Sequence, residues 1–142
     1  MDKTMSIMEV SETLQIPKDT LRYYDRLSLV SPQRGENQYR YYTQGDMHDL
    51  QYIEVMKYAE FSLKEIEKIL LNKQGCTEEN LKDTMQLLEN KQHELKKKIE
   101  LYHHIMGLIT DAMDMLYEKK PSTESEKLNQ MISNIFNEIR GK

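Results

Sequence analysis

Apolar residues recur along the chain at helical spacing, in blocks that each open on a capping signal. Ser6-Ile7-Met8-Glu9 has the form of a capping box, and Ile7, Val10 and Leu14 follow on one face. Ile16-Pro17 breaks that helix and starts a second after a gap of a few residues, which is helix-turn-helix spacing. In the second helix Lys18, Arg22 and Arg26 form one stripe, while Leu21 and Tyr24 point towards another face that can dock on the first helix. A polar turn, Arg34-Gly35-Glu36-Asn37-Gln38, precedes Tyr39-Arg40-Tyr41-Tyr42, a stretch of high strand propensity, so a short β-hairpin wing is expected. Thr43 with Asp46 opens a third helix, burying Met47, Leu50, Ile53 and Met56. Ser62 with Glu65 opens a fourth, along Leu63, Ile66, Ile69 and Leu70, which Gly75 terminates.

Thr77 caps the longest element. Leu81, Leu88, Leu95, Tyr102, Ile109 and Leu116 recur every seven residues, and Met85, Gln92, Ile99, Met106 and Met113 fill the complementary phase. Gln92 is the one polar residue on this seam. The 36 residues from Leu81 to Leu116 make a rod of roughly 54 Å, too long for a small globule, so the seam predicts a dimer with a second copy. Towards its end the stripe widens through Leu101, Ile105, Leu108, Ala112 and Met115, surface for the segment after Pro121 or for the partner's head. Pro121 to Ser125 reads as a linker, and Leu128, Met131, Ile132, Ile135, Phe136 and Ile139 mark a final amphipathic helix.

Composition first complicates this picture. The chain has a net charge of −4, which by itself argues against a nucleic-acid partner. The distribution answers the objection: four of the five arginines (Arg22, Arg26, Arg34, Arg40) and five of the nine tyrosines lie between Arg22 and Tyr42. Guanidinium forks suited to phosphate and base edges are thus concentrated in one place. No apolar run reaches membrane-spanning length, and the start lacks the pattern of a signal peptide, so a cytoplasmic location is expected. A single cysteine excludes an intrachain disulfide framework. Nucleophile–base pairs, phosphate-binding glycine loops and paired carboxylates in apolar settings are missing, so no enzyme is expected.

A recognition helix with a wing on the flanking backbone explains both arginine clusters together. Tyr23 and Tyr39 are candidates to donate a hydroxyl to phosphate; Tyr24, Tyr41 and Tyr42 read as packing residues. Asp25 is placed to pair with Arg26, and Asp19 is an unfavourable neighbour for phosphate. Cys76 reads as a structural thiol, with a thiol sensor at a helix start as the alternative. His103 and His104 are adjacent and His93 is ten residues away, so no metal site is expected. The methionines of the seam read as core.

Thr20-Leu21-Arg22-Tyr23-Tyr24-Asp25, Leu29, Asn37-Gln38-Tyr39-Arg40-Tyr41-Tyr42-Thr43 and Phe61-Ser62-Leu63-Lys64-Glu65-Ile66 resemble, in order and spacing, the MerR family of transcription regulators. The resemblance covers Ser6 to Leu71. It implies a mainly α fold: a winged helix-turn-helix head (1–75), an antiparallel coiled-coil dimerisation helix (76–120), and a linker with a short C-terminal helix (121–142). It implies a homodimer on an inverted repeat in a promoter spacer, distorting the DNA for RNA polymerase in response to an effector, with no cofactor. Carried onto this chain, Arg22 and Tyr23 would contact phosphate from the recognition helix and Arg40 from the wing. Lys18 and Thr20 would lie at base edges, and Arg34 and Tyr39 complete the candidate set. The family usually has glycine where this chain has Gln38, so a different wing turn is expected, with Gly35 taking part of that role. Two other readings are an architectural DNA-binding protein without effector and a coiled-coil protein-protein adaptor.

Overall fold

The computed structural model describes residues 3–73, 75, 77–118 and 122–141. Along them run β1 (Met5–Ser6), α1 (Ile7–Leu14), α2 (Lys18–Arg26), β2 (Gln33–Arg34), β3 (Arg40–Tyr42), α3 (Gln44–Tyr58), α4 (Leu63–Asn72), α5 (Glu78–Glu118) and α6 (Ser122–Arg140). The chain forms two compact units, one ending at Leu88 and the other beginning at Glu89.

Local chemistry sets most helix starts in the first unit. Ser6 with Glu9, Thr43 with Asp46 and Ser62 with Glu65 each close a reciprocal capping box, as expected. Each cap satisfies backbone donors that the first helical turn cannot, a contribution of about 1 kcal/mol. Thr77 caps α5 by accepting a hydrogen bond from the Asn80 amide at 3.2 Å. The α1–α2 turn departs slightly from expectation. Pro17 is the N-cap of α2 rather than its first residue, and has no side chain with which to cap. Gln15 takes the left-handed conformation, and the Ser11 hydroxyl donates to the Ile16 carbonyl at 2.6 Å, tying the turn.

The wing hairpin forms as expected, with Gln33 opposite Tyr41 and Arg34 opposite Arg40. β1 is an addition to the sequence reading. Met5 pairs with Tyr42 and Ser6 with Tyr41, giving a three-stranded antiparallel sheet ordered β1-β3-β2. A two-residue strand has no periodicity to detect; it exists because the wing supplies an edge just before α1 begins.

The core of this unit draws on four helices and the central strand. Val10 of α1, Leu21 and Tyr24 of α2, Tyr42 of β3, Leu50 and Ile53 of α3 and Ile66 of α4 are fully buried side chains. The Tyr24 hydroxyl meets α3 twice, donating to Glu54 Oε1 at 3.3 Å and accepting from Lys57 Nζ at 2.9 Å. The Tyr42 hydroxyl is buried and has no hydrogen-bond partner among the described residues.

In the second unit Leu101, Ile105, Leu108, Ala112 and Met115 of α5 are half-buried, as are Leu128, Met131 and Ile135 of α6. The helices meet across a cleft where His103, His104 and Gly107 face Met131, Asn134 and Glu138. The segment after Pro121, one of the two covers expected for the widened stripe, thus lies beside this part of α5. α6 begins at Ser122, inside the stretch read as linker; Pro121 itself and Cys76, with its thiol-sensor reading, lie outside the described residues.

Burial raises the pKa of both core tyrosines above 10.0, outweighing the opposing cations Lys57 at Tyr24 and Arg40 at Tyr42. A folded-state value above the unfolded one contributes stability that is complete below the unfolded pKa and is lost as pH rises through the folded one. Chemical denaturation should therefore show a midpoint that falls above pH 10.0, with a shallower fall in Tyr42→Phe. At neutral pH Tyr42→Phe should be neutral or stabilising, since the hydroxyl it removes has no partner. Ile53→Ala, by contrast, should cost about 2–5 kcal/mol through the cavity it opens.

Candidate nucleic-acid interface

The recognition-helix candidates all lie on α2, whose buried residues are Leu21 and Tyr24. Lys18 and Thr20 occupy its first turn and are half-buried. Arg22 lies one turn beyond Lys18 and pairs with Asp19 at 2.9 Å, so the carboxylate expected to be unfavourable is bound by the arginine it flanks. Tyr23 is exposed, its ring tilted against Tyr24 with centroids 6.5 Å apart. Arg26 lies over the Tyr23 ring at 5.8 Å, a cation–π geometry.

From the wing come Arg34, Tyr39 and Arg40. Arg34 and Arg40 are cross-strand partners. The Tyr39 side chain is 70% exposed. Its backbone closes the tip: its amide donates to Asn37 Oδ1 at 3.2 Å and its carbonyl accepts from the Gly35 amide at 3.0 Å. Of the three tyrosines read as packing residues, Tyr24 and Tyr42 are buried and Tyr41 is half-buried.

Asp25 joins helix to wing, and this is where the structure corrects the pairing read from sequence. Its partner is not the adjacent Arg26. Asp25 Oδ2 accepts from Arg40 Nε at 2.7 Å and from Arg34 Nη2 at 3.1 Å. The sequence offered Arg26 as a neighbour one position away, but adjacent helical residues do not face each other. No local signal marks a partner 15 positions away. Between Lys18 and Arg40 five cations stand against three carboxylates, a surplus of two in a chain of net charge −4.

The wing turn keeps its left-handed residue in spite of the missing glycine. Gln38 has φ of 66°, and its amide donates to the Gly35 carbonyl at 2.9 Å. Gly35 serves a different purpose from the one expected, close approach rather than positive φ: a Cβ there would collide with the ring of Tyr41.

The expected dimerisation seam is uncovered within the chain. In the first unit Leu81, Met85 and Leu88 are exposed. In the second, Leu95 is half-buried, while Ile99, Tyr102, Met106, Ile109, Met113 and Leu116 are exposed. Exposure at the exposed positions runs from 39% at Leu88 to 81% at Leu116, an apolar stripe of the kind that marks an interaction surface. Sequence reasoning missed the surface of α3 on which Tyr52, Val55 and Tyr58 are exposed. These residues interrupt the polar face of an otherwise ordinary amphipathic helix, the only signal available.

A helix-turn-helix with a β wing, arginines on both, and a long helix bearing an uncovered heptad seam define a winged-helix regulator fold. Residues 5–73 match the family of MerR HTH regulatory proteins. The mercuric resistance operon regulatory protein of Bacillus cereus is 32% identical over 115 residues, covering 80% of this chain and 86% of that protein. The HTH-type transcriptional regulator HmrR of Rhizobium leguminosarum bv. viciae is 38% identical over 66 residues, 46% of this chain. The matched stretch spans about half of HmrR, 51% of its length. In fold the chain is similar to HiNmlR, a MerR family regulator lacking the sensor domain and solved bound to promoter DNA. The TM-score is 0.69 at 22% identity, over 82% of this chain and 92% of that one. The chain belongs to the MerR family and is a transcription regulator, not an enzyme. No helix among the described residues is long and apolar enough to cross a membrane.

The wing geometry makes a paired prediction. Gly35→Ala should lower the thermal midpoint, because the Tyr41 ring must move to admit the methyl group. Gln38→Gly should leave it unchanged or raise stability by up to about 1 kcal/mol, by removing the side chain from a left-handed position. The reverse order in differential scanning would place the strained residue elsewhere.

Proposed function

We propose that the chain acts as a cytoplasmic homodimer that binds an inverted-repeat operator within a promoter spacer and distorts it, setting RNA polymerase access in response to an effector. The observation that carries the reading is the joining of α2 to the wing through Asp25, which holds the wing arginines Arg34 and Arg40 against the helix that carries Arg22. Arg22 and Tyr23 contact phosphates from α2, and Arg34, Tyr39 and Arg40 do so from the wing. Lys18 and Thr20, in the first turn of α2, take base edges or their neighbours, because the start of a recognition helix enters the major groove. Arg22 exchanges the largely solvated carboxylate of Asp19 for phosphate, an exposed pair that costs little to break.

The long helix supports the dimer. Two copies of the seam bury each other's exposed leucines, isoleucines and methionines and hold two heads at fixed separation, as an inverted repeat requires. HiNmlR, similar in fold, was solved on promoter DNA. The α5–α6 pair in the second unit supports effector response, since a DNA-binding head and a two-stranded seam need no further helix. That element also favours a regulator over an architectural protein.

Arg22→Ala and Arg40→Ala should each weaken binding to every duplex and lower the slope of log K against log salt by about one. Fluorescence anisotropy across a salt series reads this, and slopes equal to wild type would remove the phosphate assignments. Replacing Leu95 and Tyr102 together by glutamate should give monomers in sedimentation velocity; a dimer that persists would refute the seam, and the adaptor reading predicts unchanged partner binding in Arg22→Ala. Selection from a random duplex library, then footprinting with and without candidate effectors, identifies the operator.

A further inference from the structure

We propose that Asp25 is a positioning residue that locks the wing to α2, so that the phosphate contacts of helix and wing are presented at one fixed spacing. The inference rests on the DNA-binding reading above and adds to it a residue that holds the contacting groups instead of contacting DNA.

Two local penalties point to this role. An acidic residue near the end of α2 opposes the helix dipole, which favours cations there. Arg34 and Arg40, directly opposite each other in the hairpin, form a like-charged cross-strand pair, which is destabilising by itself. Both penalties are relieved by one contact, because Asp25 Oδ2 lies within 2.7 Å of Arg40 Nε and 3.1 Å of Arg34 Nη2. The contact is also sheltered: the Asp25 side chain is 15% exposed and that of Arg40 19%. Charge-assisted hydrogen bonds with restricted solvent access are the strong kind, unlike an open surface pair. Arg34 extends the network, its Nη1 donating to the Gln38 carbonyl at 3.1 Å at the wing tip.

The partners lie 9 and 15 positions from Asp25, so the bonds fix tertiary geometry, not the helix itself. Asp25 engages Arg40 through Nε; a guanidinium has five N–H donors, so the same fork can hold Asp25 and also reach a phosphate. The consequence is selectivity. A rigid helix–wing frame engages both contact sets at once only on a duplex whose groove and backbone present phosphates at the matching distance. A wing released from α2 adapts to any duplex. The carboxylate also subtracts one charge from the attraction to DNA of every sequence.

The test uses the full chain, with a duplex recovered by selection against the wild-type protein and a scrambled duplex of equal length as probes. Asp25→Asn, nearly isosteric, should bind the selected duplex about tenfold more weakly, the effect of one lost strong contact, and the scrambled duplex as tightly as wild type or several-fold more tightly. Hydrogen exchange should quicken in the wing amides between 33 and 42 and stay unchanged at Leu50 and Ile53. Asp25→Glu, which keeps the charge but moves the carboxylate by one methylene, should give an intermediate affinity ratio, and carries the test should Asp25→Asn fail to fold. An affinity ratio equal to wild type in either folded variant, or a wing whose exchange is unchanged in Asp25→Asn, would overturn the proposal while leaving DNA binding intact. A wild-type protein with no salt-dependent affinity for any duplex would overturn the DNA reading, and this one with it.

Discussion

The head depends on burying two tyrosines, Tyr24 from α2 and Tyr42 from the wing, in one core with Val10, Leu50, Ile53 and Ile66. Each ring brings a large apolar payload, and each is anchored by the element that carries the candidate DNA contacts. Tyr24 sets the roll of α2: with Leu21 beneath it, Arg22 and Tyr23 are left on the accessible side. Tyr42 sets the wing by the alternation of strand side chains, which gives Arg40 the same face and brings it to Asp25. The small sheet has too few backbone hydrogen bonds to hold itself together, so packing onto the helices stabilises it.

The charge network is built on that packing. In an acidic chain, a DNA-binding surface needs its cations gathered and its nearby carboxylates neutralised. Asp19 is matched by Arg22, and Asp25 by two arginines. The carboxylates are therefore part of the surface rather than defects in it. Arg22 is held loosely, in a largely solvated pair, whereas Arg40 is held in a sheltered one.

Two stripes divide α5. The positions of the heptad seam stay exposed except for half-buried Leu95, while Leu101, Ile105, Leu108, Ala112 and Met115, about a quarter-turn away, are half-buried in the unit that holds α6. A helix with apolar surface on two faces needs two neighbours. One is in the chain, and the proposed second copy would be the other.

Much of this was legible before any coordinates. The capping boxes at Ser6, Thr43 and Ser62, the break at Pro17, the hairpin propensity of Tyr39 to Tyr42 and the seven-residue repeat are local or strictly periodic signals. They determined where helices begin, which faces are apolar, and that arginine and tyrosine cluster in one segment. The partner of Asp25, the strand at Met5–Ser6, the left-handed conformation of Gln38 in place of glycine, and the pairing of α5 with α6 were decided by tertiary structure. In each of these the energy comes from groups distant in sequence or from packing that outweighs a local preference. The sequence by itself therefore specifies a helix-turn-helix head, a wing and a long helix carrying the candidate contacts. The fold decides how helix and wing are held relative to each other, because a carboxylate chooses its partner by proximity in space.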